Sequence, residues 1–479
     1  MKEGKVYLVG AGPGDAGLIT IKGEECLKNA DVILYDRLVN PLLLEKAKES
    51  ADRIYCGKLP DRHHLRQDAI QQLMVEKARE GLDVVRLKGG DPGIFGRSGE
   101  EAAALKEAGI VYEVVPGITS GIAAPLYAGI PVTHRNISGS FAAVTGHSNS
   151  ENGQPSPNWK ALAKAVDTIA FYMGVKNLPA ITEKLIYFGK PEHTPVLIIE
   201  WGTTGRQRVI DGTLADISEK AKMEQVQNPA ITLVGEVAAL RENLSWFEHK
   251  ALHGRYVWVV KTSPQPGKIA KTLINNGAEV LEAPRFIEED SNTPIPDDLA
   301  HFDSLVFHSD DSVSLFFETL RKQKIDIRRL PERVYARSKR TKKKLEQHGI
   351  FPFLEEAPAD DKSLLIGKKE DLPSDNDHKV DWISHALKVS PQTRKTTARI
   401  VNDNLINTIV LPCAKAVDTL LTELDVLGVS AVEWVNNKTI ICYGPQTKEA
   451  AQAAGLNVYC TLSKPENEEL LHSFSALKR

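Results

Sequence analysis

Through its first half the chain repeats one pattern: a short apolar run, a loop rich in Gly, Pro or Asp, then a stretch with helical spacing. The first run, Val6 to Val9, breaks at Gly10 within VGAGPG. Later runs close at YDRLV (35–39), RLKGGDP (86–92), VVPGITSG (114–121), VTGHS (144–148), FYMGV (171–175), EWGT (200–203) and LVGE (233–236). Uninterrupted apolar runs of this length read as strands buried on both faces. Strands alternating with helices predict an α/β fold with largely parallel sheets, and such folds bind ligands across the carboxyl ends of several strands.

The same pattern marks the organisation of the chain. After Trp246 and Phe247 the polar stretch EHKALHGR leads into a fresh apolar run, Tyr256 to Val260, which predicts one domain over 1–247 and a second over 252–479. The second half repeats itself: SLVFHSDDSVSLFFETL (304–320) parallels NTIVLPCAKAVDTLLTEL (407–424), and VYARSKRTKKKLEQHG (334–349) parallels IICYGPQTKEAAQAAG (440–455). Two repeats in one order, at nearly equal offsets, predict two similar α/β lobes with a ligand clasped between them. The polar, helix-breaking SNSENGQPSPN (148–158) reads as a loop that either covers a site or separates two lobes.

Composition narrows the classes. A chain of 479 residues is too long for one compact core. With 42% hydrophobic and 26% charged residues and a net charge of −3, it lacks the basic excess that a nucleic-acid partner requires. The densest basic run, RSKRTKKK (337–344), precedes Leu345 and reads as the solvated face of a short helix. The five cysteines (26, 56, 413, 442 and 460) form no C-x-x-C pair, which fits a reducing compartment, the cytoplasm, and offers no zinc site. No run of about 18 apolar residues exists to cross a membrane.

The first loop carries the chemistry. From Gly12 it spells G-x-G-x-x-G through Gly14 and Gly17, and Asp36 ends the next apolar run about 20 residues on, as in a dinucleotide fingerprint. Against that reading, Pro13 removes a backbone N–H where a pyrophosphate needs donors, and Asp15 sets negative charge beside the phosphates' place. Such a loop suits a ligand without phosphates.

VGAGPGDAGLIT (9–20), ADVILYDRLV (30–39), Gly57-Lys58, VVRLKGGDPGIFGRSGEE (84–101), VVPGITSGIAAPLYAGIPVTHR (114–135) and FYMGV together closely resemble uroporphyrinogen-III C-methyltransferases, of the tetrapyrrole methylase family, over about the first 247 residues. The resemblance implies a bilobal α/β fold that binds S-adenosylmethionine in a trough, works as a homodimer, needs no metal, and methylates uroporphyrinogen III at C2 and C7 to precorrin-2, a precursor of sirohaem and cobalamin. It places Pro13, Gly89, Gly90, Asp91, Ile94, Thr119, Ser120, Met173 and Gly202 at positions that line the cofactor, and Asp36 and Lys58 at those of proton acceptor and proton donor. Arg37, Arg62, His63 and His64 are candidates for the substrate's carboxylates, each with an equally good reading as part of a solvated loop. The His63-His64 pair and Cys56 have no further ligand with which to hold a metal.

Residues 252–479 resemble uroporphyrinogen-III synthase, which closes hydroxymethylbilane into the macrocycle. The chain departs from that family's pattern at Lys261-Thr262 and Arg337-Ser338, and has no tyrosine between Tyr335 and Tyr443. Three functions stay open on sequence alone: a methyltransferase with a fused synthase, a methyltransferase whose second half only binds tetrapyrrole, and a nicotinamide-dependent oxidoreductase.

Overall fold

The computed structural model describes residues 3–57, 67–147, 157–264, 267–290, 293–372, 379–464 and 466–476. They form two compact units, Met1–Pro284 with Pro391–Arg479, and Arg285–Ser390.

The first unit holds three five-stranded sheets. One is wholly parallel, in the order Asp52–Tyr55, Val32–Tyr35, Val84–Lys88, Val6–Gly10, Tyr112–Val115. Both faces are covered, as the uninterrupted apolar runs require: Val9, Ile33, Val85 and Leu87 enter one core, while Val6, Leu8, Val32, Leu34 and Val84 enter another. Helix starts are set locally. Thr20 caps the helix Ile21–Asn29 by accepting from the Gly23 N–H at 3.1 Å.

The second sheet differs from the expected parallel pattern. Phe141–Thr145 and Thr168–Tyr172 pair in parallel, but Ala230–Val234, Pro195–Glu200 and Arg208–Thr213 pair antiparallel. The cause is connection length: the seven residues 201–207 join Pro195–Glu200 to Arg208–Thr213, too few for a parallel crossover. The third sheet is again all parallel, with Tyr256–Val260 between Glu279–Ala283 and Thr408–Leu411. Trp258 is fully buried there and donates its indole N–H to the Ala283 carbonyl at 2.9 Å.

The second unit holds one mixed sheet, ordered Phe286–Asp290, Lys379–Val389, Ser363–Lys368, Ser304–Phe307, Arg333–Ala336. The internal repeat is real at this level. Ser304–Phe307 leads into the helix Asp310–Lys322 as Thr408–Leu411 leads into Lys415–Val426, and in each sheet the next strand, Arg333–Ala336 or Thr439–Tyr443, lies beside the first. The basic run forms the mostly exposed helix Lys339–Glu346, capped by Ser338. Residues 148–156 of the helix-breaking loop lie outside the described residues.

Candidate active site

The carboxyl ends of three adjacent strands of the first sheet meet in a nest of backbone. Gly12 and Gly90 bridge their loops with reciprocal hydrogen bonds of 3.2 and 2.7 Å, and the Ala11 N–H donates to the Lys88 carbonyl at 2.8 Å. A Cβ on Gly117 would fall 2.4 Å from the Gly90 carbonyl oxygen and 2.8 Å from the Gly10 Cα, so no side chain fits. Asp91 ties the nest together, accepting from the Gly93 and Gly117 N–H groups at 2.8 and 2.9 Å. A carboxylate has about four acceptor positions, so Asp91 retains capacity for a ligand.

The second sheet meets this nest through Tyr172. Its hydroxyl lies 2.7 Å from Thr119 Oγ1 and accepts from the Gly121 N–H at 2.8 Å, at the start of the helix Ser120–Tyr127. Phe95 packs edge-on against the Tyr172 ring at 5.0 Å, with Ile94 and Met173 exposed beside them in sequence. Gly202 abuts Ala124, where an added Cβ would come within 2.3 Å of the alanine methyl. Its neighbour Thr203 accepts at Oγ1 from the Asp15 N–H at 3.0 Å. Backbone strain gathers here: Phe95, Arg97, Met173, Trp201 and Thr203 all hold positive φ, five of the nine described non-glycine residues that do. Such strain concentrates at ligand sites.

The loops bearing Pro13, Gly89 to Ile94, Thr119 and Ser120, Met173 and Gly202 are thus joined by direct contacts. Asp15, whose charge argued against a phosphate ligand, is committed within the nest: it accepts from the Gly17 N–H at 2.7 Å and the Tyr127 hydroxyl at 2.7 Å. That bond and burial push the Tyr127 hydroxyl well above its ordinary range, burial being the larger cause.

Asp36 stands at the adjoining strand end, and the turn after it reaches the nest where Leu38 faces Gly89 and the Asn40 amide donates to the Gly14 carbonyl at 2.8 Å. Its carboxylate, 33% exposed, accepts from Arg86 Nη2 at 2.7 Å. Behind it lies a network that sequence reasoning missed. Arg86 Nε also donates to Glu101 at 3.2 Å, and Lys88 Nζ reaches both Glu101 oxygens at 2.8 Å, with Glu101 wholly buried. Burial, then the Arg86 charge, pull the Lys88 ammonium down, whereas the two carboxylates outweigh burial and raise Arg86. The signal was present in the strand V-V-R-L-K, since Arg and Lys inside a doubly buried strand demand partners.

Strand order removes the dinucleotide reading. In a dinucleotide-binding fold the acidic residue ends a strand adjacent to the one before the glycine loop. Here Val84–Lys88 separates Val32–Tyr35 from Val6–Gly10, and Asp36 is engaged by Arg86. Arg37 is exposed on the Asp36 turn. Lys58, Arg62, His63 and His64 lie outside the described residues. Burial pushes the Cys56 thiol up to about 11. A surface groove of about 1030 Å³, lined by Gln71, Glu76, Arg79 and Glu107, shares no residue with the nest.

In the second unit, Ser309 and Ser338 cap the helices that follow two of its strands. Tyr335 is buried against Phe353. A hydroxyl chain runs from Ser309 through Ser312 and Ser384 to the buried His385 at 2.6, 2.8 and 2.8 Å.

Comparison with known proteins bears on the family of the chain. Residues 5–218 match the family of tetrapyrrole (corrin/porphyrin) methylases, and residues 267–374 match uroporphyrinogen-III synthase HemD. A uroporphyrinogen-III C-methyltransferase of Bacillus subtilis is 44% identical over 477 residues, covering 98% of this chain and 96% of its own. One from Priestia megaterium is 58% identical over 234 residues, 49% of this chain and 98% of its own. A solved structure of the Thermus thermophilus uroporphyrin-III C-methyltransferase, complexed with S-adenosylhomocysteine, is 40% identical over 50% of this chain and 100% of its own, with a TM-score of 0.43. The chain belongs to the tetrapyrrole methylase family, as a uroporphyrinogen-III C-methyltransferase relative that carries a uroporphyrinogen-III synthase domain after the methylase.

Proposed function

We propose that the first half, over 1–247, transfers methyl groups from S-adenosylmethionine to C2 and C7 of uroporphyrinogen III, yielding precorrin-2. The observation that carries this reading is the nest of loops at the strand ends with Asp36 fixed beside it by Arg86. The nest fits the methyl donor: close backbone approach at Gly10, Gly90 and Gly117 leaves a tight cradle, and Pro13 and Asp15 do not handicap a ligand without phosphates. Bound there, the donor supplies an electrophilic methyl group on sulfur.

The chain's own residues then have three tasks. Gly89 to Ile94, Thr119, Ser120, Met173 and Gly202 hold the donor in one orientation, which matters because displacement at a methyl carbon tolerates little misplacement. Asp36 accepts the proton lost after methylation, and Arg86 keeps its carboxylate aimed at the strand end. Arg37, Arg62, His63 and His64 recognise the substrate's carboxylates, with Lys58 as proton donor. The assembly is a homodimer in the cytoplasm, free of metal, nucleic acid and membrane. Among the described residues no helix is long and apolar enough to cross a bilayer. The second half, 252–479, closes hydroxymethylbilane to supply the substrate.

Calorimetric titration of the purified chain with S-adenosylhomocysteine and, separately, NADH tests the cradle. The reading expects binding of the first and none of the second; the reverse would overturn it.

A further inference from the structure

The helix Pro391–Asn402 belongs to the second half of the sequence, yet it packs on the 3-10 helix Pro41–Lys46, which follows the Asp36 turn. Arg399 Nη2 donates to the Arg37 carbonyl at 2.7 Å and lies 3.5 Å from that of Val39. Its guanidinium sits 5.8 and 5.6 Å from the ring centroids of Tyr35 and Tyr55, the residues that end the Asp36 strand and its neighbour. Nearly two turns earlier in the same helix, Thr393 donates to Glu45 at 2.6 Å. A second contact reaches the Gly202 loop from the strand Glu279–Ala283: the Gly205 N–H donates to the Glu279 carboxylate at 2.8 Å, and within that loop Arg206 stacks on Trp201 at 3.6 Å.

Both loops touched in this way carry site residues, Asp36 and Arg37 on one and Gly202 on the other. A guanidinium that binds a turn through its carbonyls fixes backbone, and so fixes where the Asp36 and Arg37 side chains start. We propose that Arg399 is a positioning residue for methyl transfer, holding the Asp36–Val39 turn in register with the nest, so that the C-terminal half forms part of the methylase site. The proposal rests on the methyltransferase reading of that site. The Priestia megaterium relative is matched over 98% of its length by the methylase half alone. The brace is therefore a feature of the fused chain, and its loss weakens catalysis without abolishing it.

The test uses full-length Arg399→Ala and Arg399→Lys beside the wild-type chain. For Arg399→Ala, kcat/KM for uroporphyrinogen III is expected to fall about tenfold, with S-adenosylhomocysteine affinity within about twofold of wild type. Arg399→Lys, which keeps a cationic donor over the two rings, recovers part of the loss and keeps the test open if the alanine variant fails to fold. Unchanged kinetics in the folded variants, or a loss of cofactor affinity equal to that of turnover, would overturn the proposal. Amide hydrogen exchange separates this from failure of the methyltransferase reading itself. Should the wild-type chain not methylate, faster exchange across 36–46 in Arg399→Ala, with 10–18 unchanged, still establishes the brace, and unchanged exchange sinks it.

Discussion

At the scale of single residues, the arrangement to explain is Asp36, Arg86, Lys88 and Glu101. Two cations and one carboxylate are buried together, and the second carboxylate faces solvent. Removing one member of a buried charge set costs about 3–5 kcal/mol because its partners are left desolvated and unpaired. Arg86→Met should fall at the lower end of that range, since Lys88 still pairs with Glu101, and should lower kcat on the order of 10- to 100-fold by freeing Asp36. Urea unfolding and turnover assays check the two effects separately. Asp36→Ala should abolish turnover while keeping S-adenosylhomocysteine binding, because among the described residues the Asp36 carboxylate is held by Arg86 rather than by a cofactor loop. A further residue-scale expectation concerns pH. Hydrogen bonds from Lys22 and Lys5 pull Glu113 from 4.5 to about 2. Its folded pKa lies below the unfolded one, so its contribution to stability is complete above pH 4.5 and is lost as pH falls towards about 2. Glu113→Gln should flatten that part of the melting-temperature profile. The motif residues were readable in the sequence because each loop has fixed chemistry. Glu101 was not, since an acidic pair on a helix reads as surface until the buried partners are known.

At the scale of elements, the strand ends do the positioning. Gly117→Ala forces a methyl into the Gly90 carbonyl, and overpacking of this kind costs about 1–3 kcal/mol or more. Cofactor binding should fall with it, because the displaced backbone is the cradle. Gly99 has nothing within 4 Å of its would-be Cβ and lies inside the helix Ser98–Glu107. Gly99→Ala should therefore stabilise by about 0.5–1 kcal/mol. Comparing the two variants by urea melts separates glycine needed for space from glycine merely tolerated. Apolar runs located the strands, but they could not reveal pairing. Pro195–Glu200 reads alike whether its neighbours run parallel or antiparallel, and the spacing from Gly12 to Asp36 looked like a dinucleotide fingerprint because strand order is invisible in sequence.

At the scale of the whole molecule, the sequence repeat announced two similar lobes. It did not reveal that 252–284 and 391–479 would cluster with the methylase, leaving Arg285–Ser390 as a unit of its own. That grouping arises from contacts such as Thr393 to Glu45 and Gly205 to Glu279, made between residues far apart in sequence and carrying no local pattern. The synthase reading has its own check at this scale. Given hydroxymethylbilane without methyl donor, the chain should form predominantly the type III isomer of uroporphyrinogen; only the spontaneous type I isomer would leave the second half a binding module.

Methyl transfer itself is read by mass spectrometry of the product formed from uroporphyrinogen III and S-adenosylmethionine under anaerobic conditions, with Asp36→Ala run beside the wild-type chain. The expected result is a product carrying two added methyl groups from the wild-type protein and none from the variant. Recovery of unmethylated substrate from the wild-type protein, or equal methylation by both, would contradict the account.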